Sequence, residues 1–146
     1  MESLKIEAPK GYVIDKEKST FETIVFKKKE AIETLQDAIE ALGENDFEVK
    51  ELRKLERAGI DSHILYSQQA TIIIKAVNDG WVADWNDNSQ YKYFIWWDMR
   101  TSSFGFYGYF DWHTGSDVSS RFALKNSELT KYVATQFKDI FRKAMV

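Results

Sequence analysis

The 146-residue sequence contains no cysteine, one proline, seven glycines and two histidines. Without cysteine the chain has no disulfide framework, no thiolate metal site and no cysteine nucleophile. The histidines, His63 and His113, do not have the spacing of a helical zinc site. The glycines form neither a phosphate-binding loop nor the turn that carries a nucleophilic serine. These absences remove the main sequence signatures of catalysis, and we expect no cofactor and no metal.

The sequence also lacks a strong charge of one sign and a long hydrophobic run. A net charge of −3 and a pI of about 5.5 argue against attachment to nucleic acid by bulk charge. The longest apolar runs, such as 72–74, are far shorter than the roughly 20 residues of a transmembrane helix. The first residues mix acid and base without the apolar segment of a signal peptide. We therefore expect a cytoplasmic protein that has no membrane partner.

Aromatic residues are what the sequence has in excess. It contains 5 Trp, 7 Tyr and 10 Phe, and 13 of these 22 rings lie within residues 81–112. The length is that of one domain, since domains typically run to roughly 100–200 residues. No linker or repeat divides the chain, so residues 1–146 are predicted to form a single globular domain.

Apolar residues recur with helical spacing in four stretches. The last of these stretches extends through Phe141 as one helix near the C-terminus. The predicted boundaries are Gly43 at the end of the first helix, Asn45 as N-cap of the second, Asp61 and Gly80 at the two ends of the third, and Asn126 or Ser127 as N-cap of the last.

Three segments, 91–99, 103–112 and 118–125, alternate apolar and polar residues and favour an antiparallel meander. A further strand or hairpin is predicted near the N-terminus, around the β-branched and aromatic residues 20–26. The expected fold class is therefore α+β. It consists of a meander of three or more strands packed against helices, with an N-terminal strand or hairpin and a C-terminal helix.

Strict alternation along the strands predicts two faces of the sheet. The core face of the middle strand receives four rings, Phe104, Phe106, Phe110 and Trp112. The other face gathers four more rings and two cations, Phe94, Trp96, Tyr107, Tyr109, Lys92 and Arg121. Exposed rings beside cations are suited to stacking a planar ligand such as a nucleobase, at about 1–3 kcal/mol per base. The alternative is that helices cover both faces, because large apolar patches rarely stay exposed.

Three classes of function remain open from the sequence. The favoured one is a non-catalytic binding protein; if its partner is a protein, Trp85, Trp96 and Trp97 are the expected anchors, since Trp dominates binding hot spots. A module that binds single-stranded nucleic acid through the ring-bearing face is the first alternative. A small enzyme, with paired carboxylates drawn from Asp98, Asp111 and Asp117, is the second.

Short blocks spread over most of the chain form a set: Tyr12-Val13-Ile14-Asp15, Ser19-Thr20-Phe21-Glu22, Ile24-Val25-Phe26-Lys27, Asp37-Ala38, Ala41-Leu42-Gly43, Asn78-Asp79-Gly80-Trp81, Asp84-Trp85-Asn86, Tyr91 with Tyr93, Ser120-Arg121 and Phe137. This set resembles an uncharacterised family of small proteins carried by phages and mobile elements of anaerobic gut bacteria. Ala83 stands where the family leads us to expect proline, a departure that affects a turn. The resemblance implies a phage or mobile-element context, and it carries over no functional residue.

Overall fold

The computed structural model describes residues 4–9, 12–28, 31–116 and 118–146. Within them the chain forms two antiparallel hairpins, five α-helices and one 3₁₀ turn. Their order is β1 (Tyr12–Ile14), β2 (Phe26–Lys28), α1 (Leu35–Leu42), α2 (Phe47–Arg57), α3 (His63–Val77), β3 (Lys92–Asp98), β4 (Gly105–Trp112), the 3₁₀ turn (Ser120–Phe122), α4 (Ser127–Gln136) and α5 (Lys138–Met145). The α+β class, the N-terminal hairpin and the C-terminal helix are confirmed.

The predicted ends of the helices are right at two places and shifted at others. Gly43, with a φ of 92°, ends α1, and Asn126 accepts a hydrogen bond from the backbone N–H of Leu129 as the N-cap of α4. The N-cap of α2 is Asp46 rather than Asn45, and that of α3 is Ser62 rather than Asp61. In both cases the residue one position later carries the side-chain oxygen that reaches an unpaired N–H of the first turn.

The core is built around α3. Its C-terminal half is buried except at Lys75, because α1, α2 and α5 pack around it. The helix ends at Val77, before the predicted Gly80, because Asp79 and Gly80 both have positive φ angles. The last predicted helix is two helices, α4 and α5, which meet at the buried Phe137. None of the helices in the described ranges is long and apolar enough to cross a bilayer.

The predicted third strand of the meander is wrong. Residues 118–125 form the 3₁₀ turn and then a single bridge in which Tyr93 and Leu124 exchange backbone hydrogen bonds of 3.0 and 2.8 Å. Further pairing with β3 would need the backbone of Phe122 and Asn126, but these belong to the 3₁₀ turn and to the cap of α4. The groups between them face away from β3 and bond to a side chain at the end of α3. Asn78 donates to the carbonyl oxygen of Ala123 (2.9 Å) and accepts from the N–H of Lys125 (3.1 Å). The sheet is therefore a two-stranded hairpin of β3 and β4.

A β-bulge divides β4 into two parts whose side chains alternate in opposite phase. Trp96 pairs with Gly108 and Trp97 pairs with Phe106, so Tyr107 is an extra residue with no partner on β3. One extra residue moves the side chains that follow it to the other face of the sheet. The prediction that Phe104, Phe106, Phe110 and Trp112 share one core face is therefore wrong. Only Phe104 is buried in the core, where its ring stacks on Trp97.

Candidate functional site

Four aromatic side chains lie on the outer side of the β3–β4 hairpin and form what we call the aromatic face: Trp96, Tyr107, Phe110 and Trp112. Trp96 is 57% exposed, Tyr107 70% and Trp112 61%, and Phe110 is half-buried. The Trp96 ring makes edge-to-face contacts with Tyr107 and Phe110, with ring centroids 5.7 and 6.4 Å apart. The bulge is what brings Tyr107 to the same side as Trp96.

Gly108 leaves an opening within the aromatic face. It pairs directly with Trp96, and a Cβ atom built at this glycine would meet no atom within 4 Å outside its immediate neighbours. Tyr107 precedes this opening on β4 and Phe110 follows it. The space above the backbone of Gly108, between these rings, is therefore open at the position of a Cβ atom.

Lys92 and Phe94 extend the same face of the hairpin, but the loop over 81–90 covers them. Phe94 is 1% exposed and its ring contacts Phe110 and Trp85, at centroid distances of 5.2 and 6.4 Å. Lys92 is 0% exposed, and its Nζ donates to the carbonyl oxygens of Asp87 and Gln90 at 3.0 Å each. The same Nζ lies 5.4 Å from the ring centre of Trp85. This lysine holds the loop in place and is not presented to a ligand.

Tyr109 and Trp97 lie on the opposite, core-side face of the hairpin. Tyr109 pairs with Ile95, its ring contacts Tyr93, and Lys131 of α4 lies 5.7 Å from its centre. Trp97 is 7% exposed and stacks between Phe104 and Phe141, at centroid distances of 5.0 Å to each. Trp97 is therefore part of the core and offers no surface to a partner protein.

Arg121 lies on the 3₁₀ turn, where its Nε is 3.8 Å from a carboxylate oxygen of Glu48 in α2. The prediction that four rings and two cations share one exposed face is thus wrong. Of the six residues in that group, only Trp96 and Tyr107 meet on the exposed surface. Whether any of the six binds a ligand stays a prediction.

An ion pair between Asp98 and Arg100 lies at the end of the aromatic face. Asp98, at the end of β3, accepts hydrogen bonds from the side chain and backbone of Arg100 and from Ser103. The Arg100 guanidinium, 2.6 Å away, and these other donors hold the pKa of Asp98 well below its ordinary value. Asp98 is therefore a carboxylate at neutral pH that organises the turn of the hairpin, and it has no free oxygen poised as a general base.

The described carboxylates considered for catalysis do not line either of two prominent surface cavities. One, of about 750 Å³, lies between the N-terminal hairpin and the ends of α1, α3 and α4, and the other, of about 180 Å³, lies beside Trp81. Neither is lined by Asp84, Asp98, Asp111 or His113. Asp117 lies outside the described residues. Within the described ranges, no three His, Asp or Glu side chains are placed to hold a metal ion.

Comparison with known proteins adds no assignment, because no family model, curated protein or solved structure matches this chain. The candidate site therefore rests on geometry alone.

The sequence did not predict Gly108, Phe110 and Trp112 as members of the exposed surface. A glycine inside a strand rich in aromatic residues was the one available signal, since such a glycine often marks a bulge.

Proposed function

We propose that this chain is a non-catalytic binding protein whose aromatic face docks onto a partner protein. The observation that supports it is the exposure of Trp96, Tyr107 and Trp112, each more than half open, on one side of the hairpin. Exposed patches of this kind are often functional, and Trp and Tyr carry a large share of binding energy in protein interfaces. We also propose that the protein works in the cytoplasm as an accessory protein of a phage or mobile element. This part of the proposal rests on the family resemblance and on the composition of the sequence.

The charges around the rings favour a protein over single-stranded nucleic acid. Proteins that bind single strands combine stacking rings with cations that track the phosphates. Here Lys92 is covered by its loop, Arg121 is beside Glu48, and Arg100 is engaged by Asp98. None of these three cations is thus directed at phosphate beside the rings, and an apolar protein surface is the better match.

Site-specific photo-crosslinking tests this function. A photoreactive phenylalanine analogue replaces Tyr107 in cells that carry the gene, and in a matched control it replaces Phe47, an exposed ring on α2. We expect a discrete protein adduct from position 107 only, and we expect the additional change Trp96→Ala to abolish it.

Three results would contradict the proposal: the same adducts from both positions, no adduct from position 107, or an adduct that nuclease removes. The last of these would favour the single-stranded nucleic-acid alternative.

A further inference from the structure

We infer that the aromatic face binds a second copy of this chain, so that two faces pack together around a twofold axis. The inference rests on the proposed function, because it names the partner for the same surface. In a symmetric pair each residue contacts its counterpart reciprocally. The geometry points to Tyr107 of each copy packing over Gly108 of the other.

The low charge of this face is compatible with a like partner. The charged residues on the β3 side of this face are Lys92, which is buried, and Asp98, which is paired with Arg100. A surface without an uncompensated charge brings no repulsion when it meets its own copy. A strongly charged partner would find no opposite charge there.

The shape of the face is self-complementary. Tyr107 is its most exposed ring, and the neighbouring Gly108 offers an opening that a Cβ atom would not fill. The protruding ring and the opening are adjacent in sequence, so a twofold axis beside them lets both rings enter both openings at once. Edge contacts between rings, already present between Trp96 and Tyr107, would then continue across the interface.

The available area sets the strength of such a dimer. With about 150–250 Å² for a whole aromatic side chain, the exposed parts of Trp96, Tyr107 and Trp112 present roughly 300–500 Å² per copy. Two copies would bury roughly 600–1,000 Å² in these rings alone, and the surrounding rim adds to it. Interfaces near the lower limit of about 1,200 Å² are weak and transient. We therefore expect a reversible dimer.

Sedimentation velocity of the full chain, over roughly 1 µM to 1 mM, tests the inference. The wild type should shift from monomer to dimer with increasing concentration, and added salt should not weaken the dimer, because its contacts are apolar. Gly108→Val fills the opening where the backbone has room for a side chain, and Tyr107→Ala removes the ring. Each should weaken association by about tenfold or more, while Phe47→Ala, on α2, should not change it. Circular dichroism confirms that the variants are folded.

The results separate this inference from the proposed function. A wild type that stays monomeric at every concentration overturns the inference, and so does a dimer that neither variant weakens. If the monomeric protein still gives the Trp96-dependent adduct with another protein, the proposed function stands and only the second copy is excluded. If no adduct forms at position 107 either, both fail.

Discussion

At the scale of single residues, neighbouring rings of one strand have different roles. Phe94 and Trp96 are two residues apart on β3, and their side chains leave the hairpin on the same side. One is sealed beneath the loop over 81–90 and the other is open to solvent. Alternation along the strand identifies the face that the two rings share, but it does not show where the covering loop ends. The end of that loop separates Phe94, which stabilises the fold, from Trp96, which is available for binding.

Replacing these two rings by alanine should therefore have unequal effects on stability. Phe94→Ala should lower the free energy of unfolding by about 3–5 kcal/mol, as expected for a buried Phe. Trp96→Ala should lower it by less than about 1 kcal/mol, since surface substitutions rarely cost more. Urea unfolding followed by far-UV circular dichroism measures both without depending on tryptophan fluorescence. Similar losses in the two variants would show that Trp96 is not exposed in solution.

Lys92 provides a second test at this scale. Lys92→Met keeps the aliphatic stem but removes the donor to the carbonyl oxygens of Asp87 and Gln90. The free energy of unfolding should fall by about 1.5–3 kcal/mol, the range for hydrogen bonds made by charged groups. Lys50→Met, at an exposed position on α2, serves as the control in the same urea titration and should be nearly neutral. Equal midpoints for the two variants would contradict the role assigned to Lys92.

At the scale of elements, the bulge in β4 decides which rings form the aromatic face. Because Tyr107 has no partner on β3, its deletion would leave Trp96 opposite Gly108 and Trp97 opposite Phe106 in a regular register. Deleting Tyr109 also removes the extra residue, but Gly108 then pairs with Ile95 and Tyr107 with Trp96. Both deletions thus restore a regular register, and the second replaces the Tyr109 ring on the core side by a glycine.

We expect both shortened chains to unfold cooperatively. The chain that lacks Tyr109 should have the lower melting temperature, because it loses the ring that contacts Tyr93. Thermal melts followed by circular dichroism, together with amide proton spectra, measure both. A Tyr107 deletion that is disordered, or the less stable of the two, would contradict this position of the bulge.

The turn of the hairpin should make stability depend on pH through Asp98. The pKa of this carboxyl is held below its ordinary value of 3.8, chiefly by hydrogen bonds from the Arg100 side chain. A depressed folded-state pKa stabilises the protein above the unfolded-state pKa, and the effect is lost as the pH falls through the folded-state value. The stability difference between wild type and Asp98→Asn should therefore be constant near neutrality and shrink below about pH 4. Urea titrations at several pH values measure it; a difference that is unchanged at low pH would contradict this role.

Some of these elements could be predicted from the sequence and others could not. The end of α1 at Gly43 and the start of α4 at Asn126 were predictable, because capping involves residues next to the helix end. The third strand was not, because alternation over 118–125 does not distinguish a strand from a 3₁₀ turn followed by a single bridge. The composition of the aromatic face depended on the bulge, and alternation alone places Phe110 and Trp112 on the wrong side.

At the scale of the whole molecule, the core does not depend on the N-terminal hairpin. All buried hydrophobic side chains in the described ranges lie between Ala38 and Phe141. Among the hairpin residues whose burial is described, Asp15 alone is buried, and its carboxylate accepts hydrogen bonds from its own loop. A cavity of about 750 Å³ lies between this hairpin and the helices. The first segment fixed to the core begins at Ile32, whose carbonyl oxygen accepts a hydrogen bond of 2.6 Å from the Tyr132 hydroxyl.

A chain that begins at Ile32 should therefore fold cooperatively, with a loss of less than about 2 kcal/mol in the free energy of unfolding, because almost no apolar surface is uncovered. The matched truncation at the other end, which removes α5, should abolish cooperative unfolding, since Phe141 is buried against the rings of Trp97 and Phe122. Thermal melts of both truncated chains, followed by circular dichroism, make the comparison. If the first truncation is the one that fails to fold, the N-terminal hairpin covers part of the core in solution, and the core does depend on it.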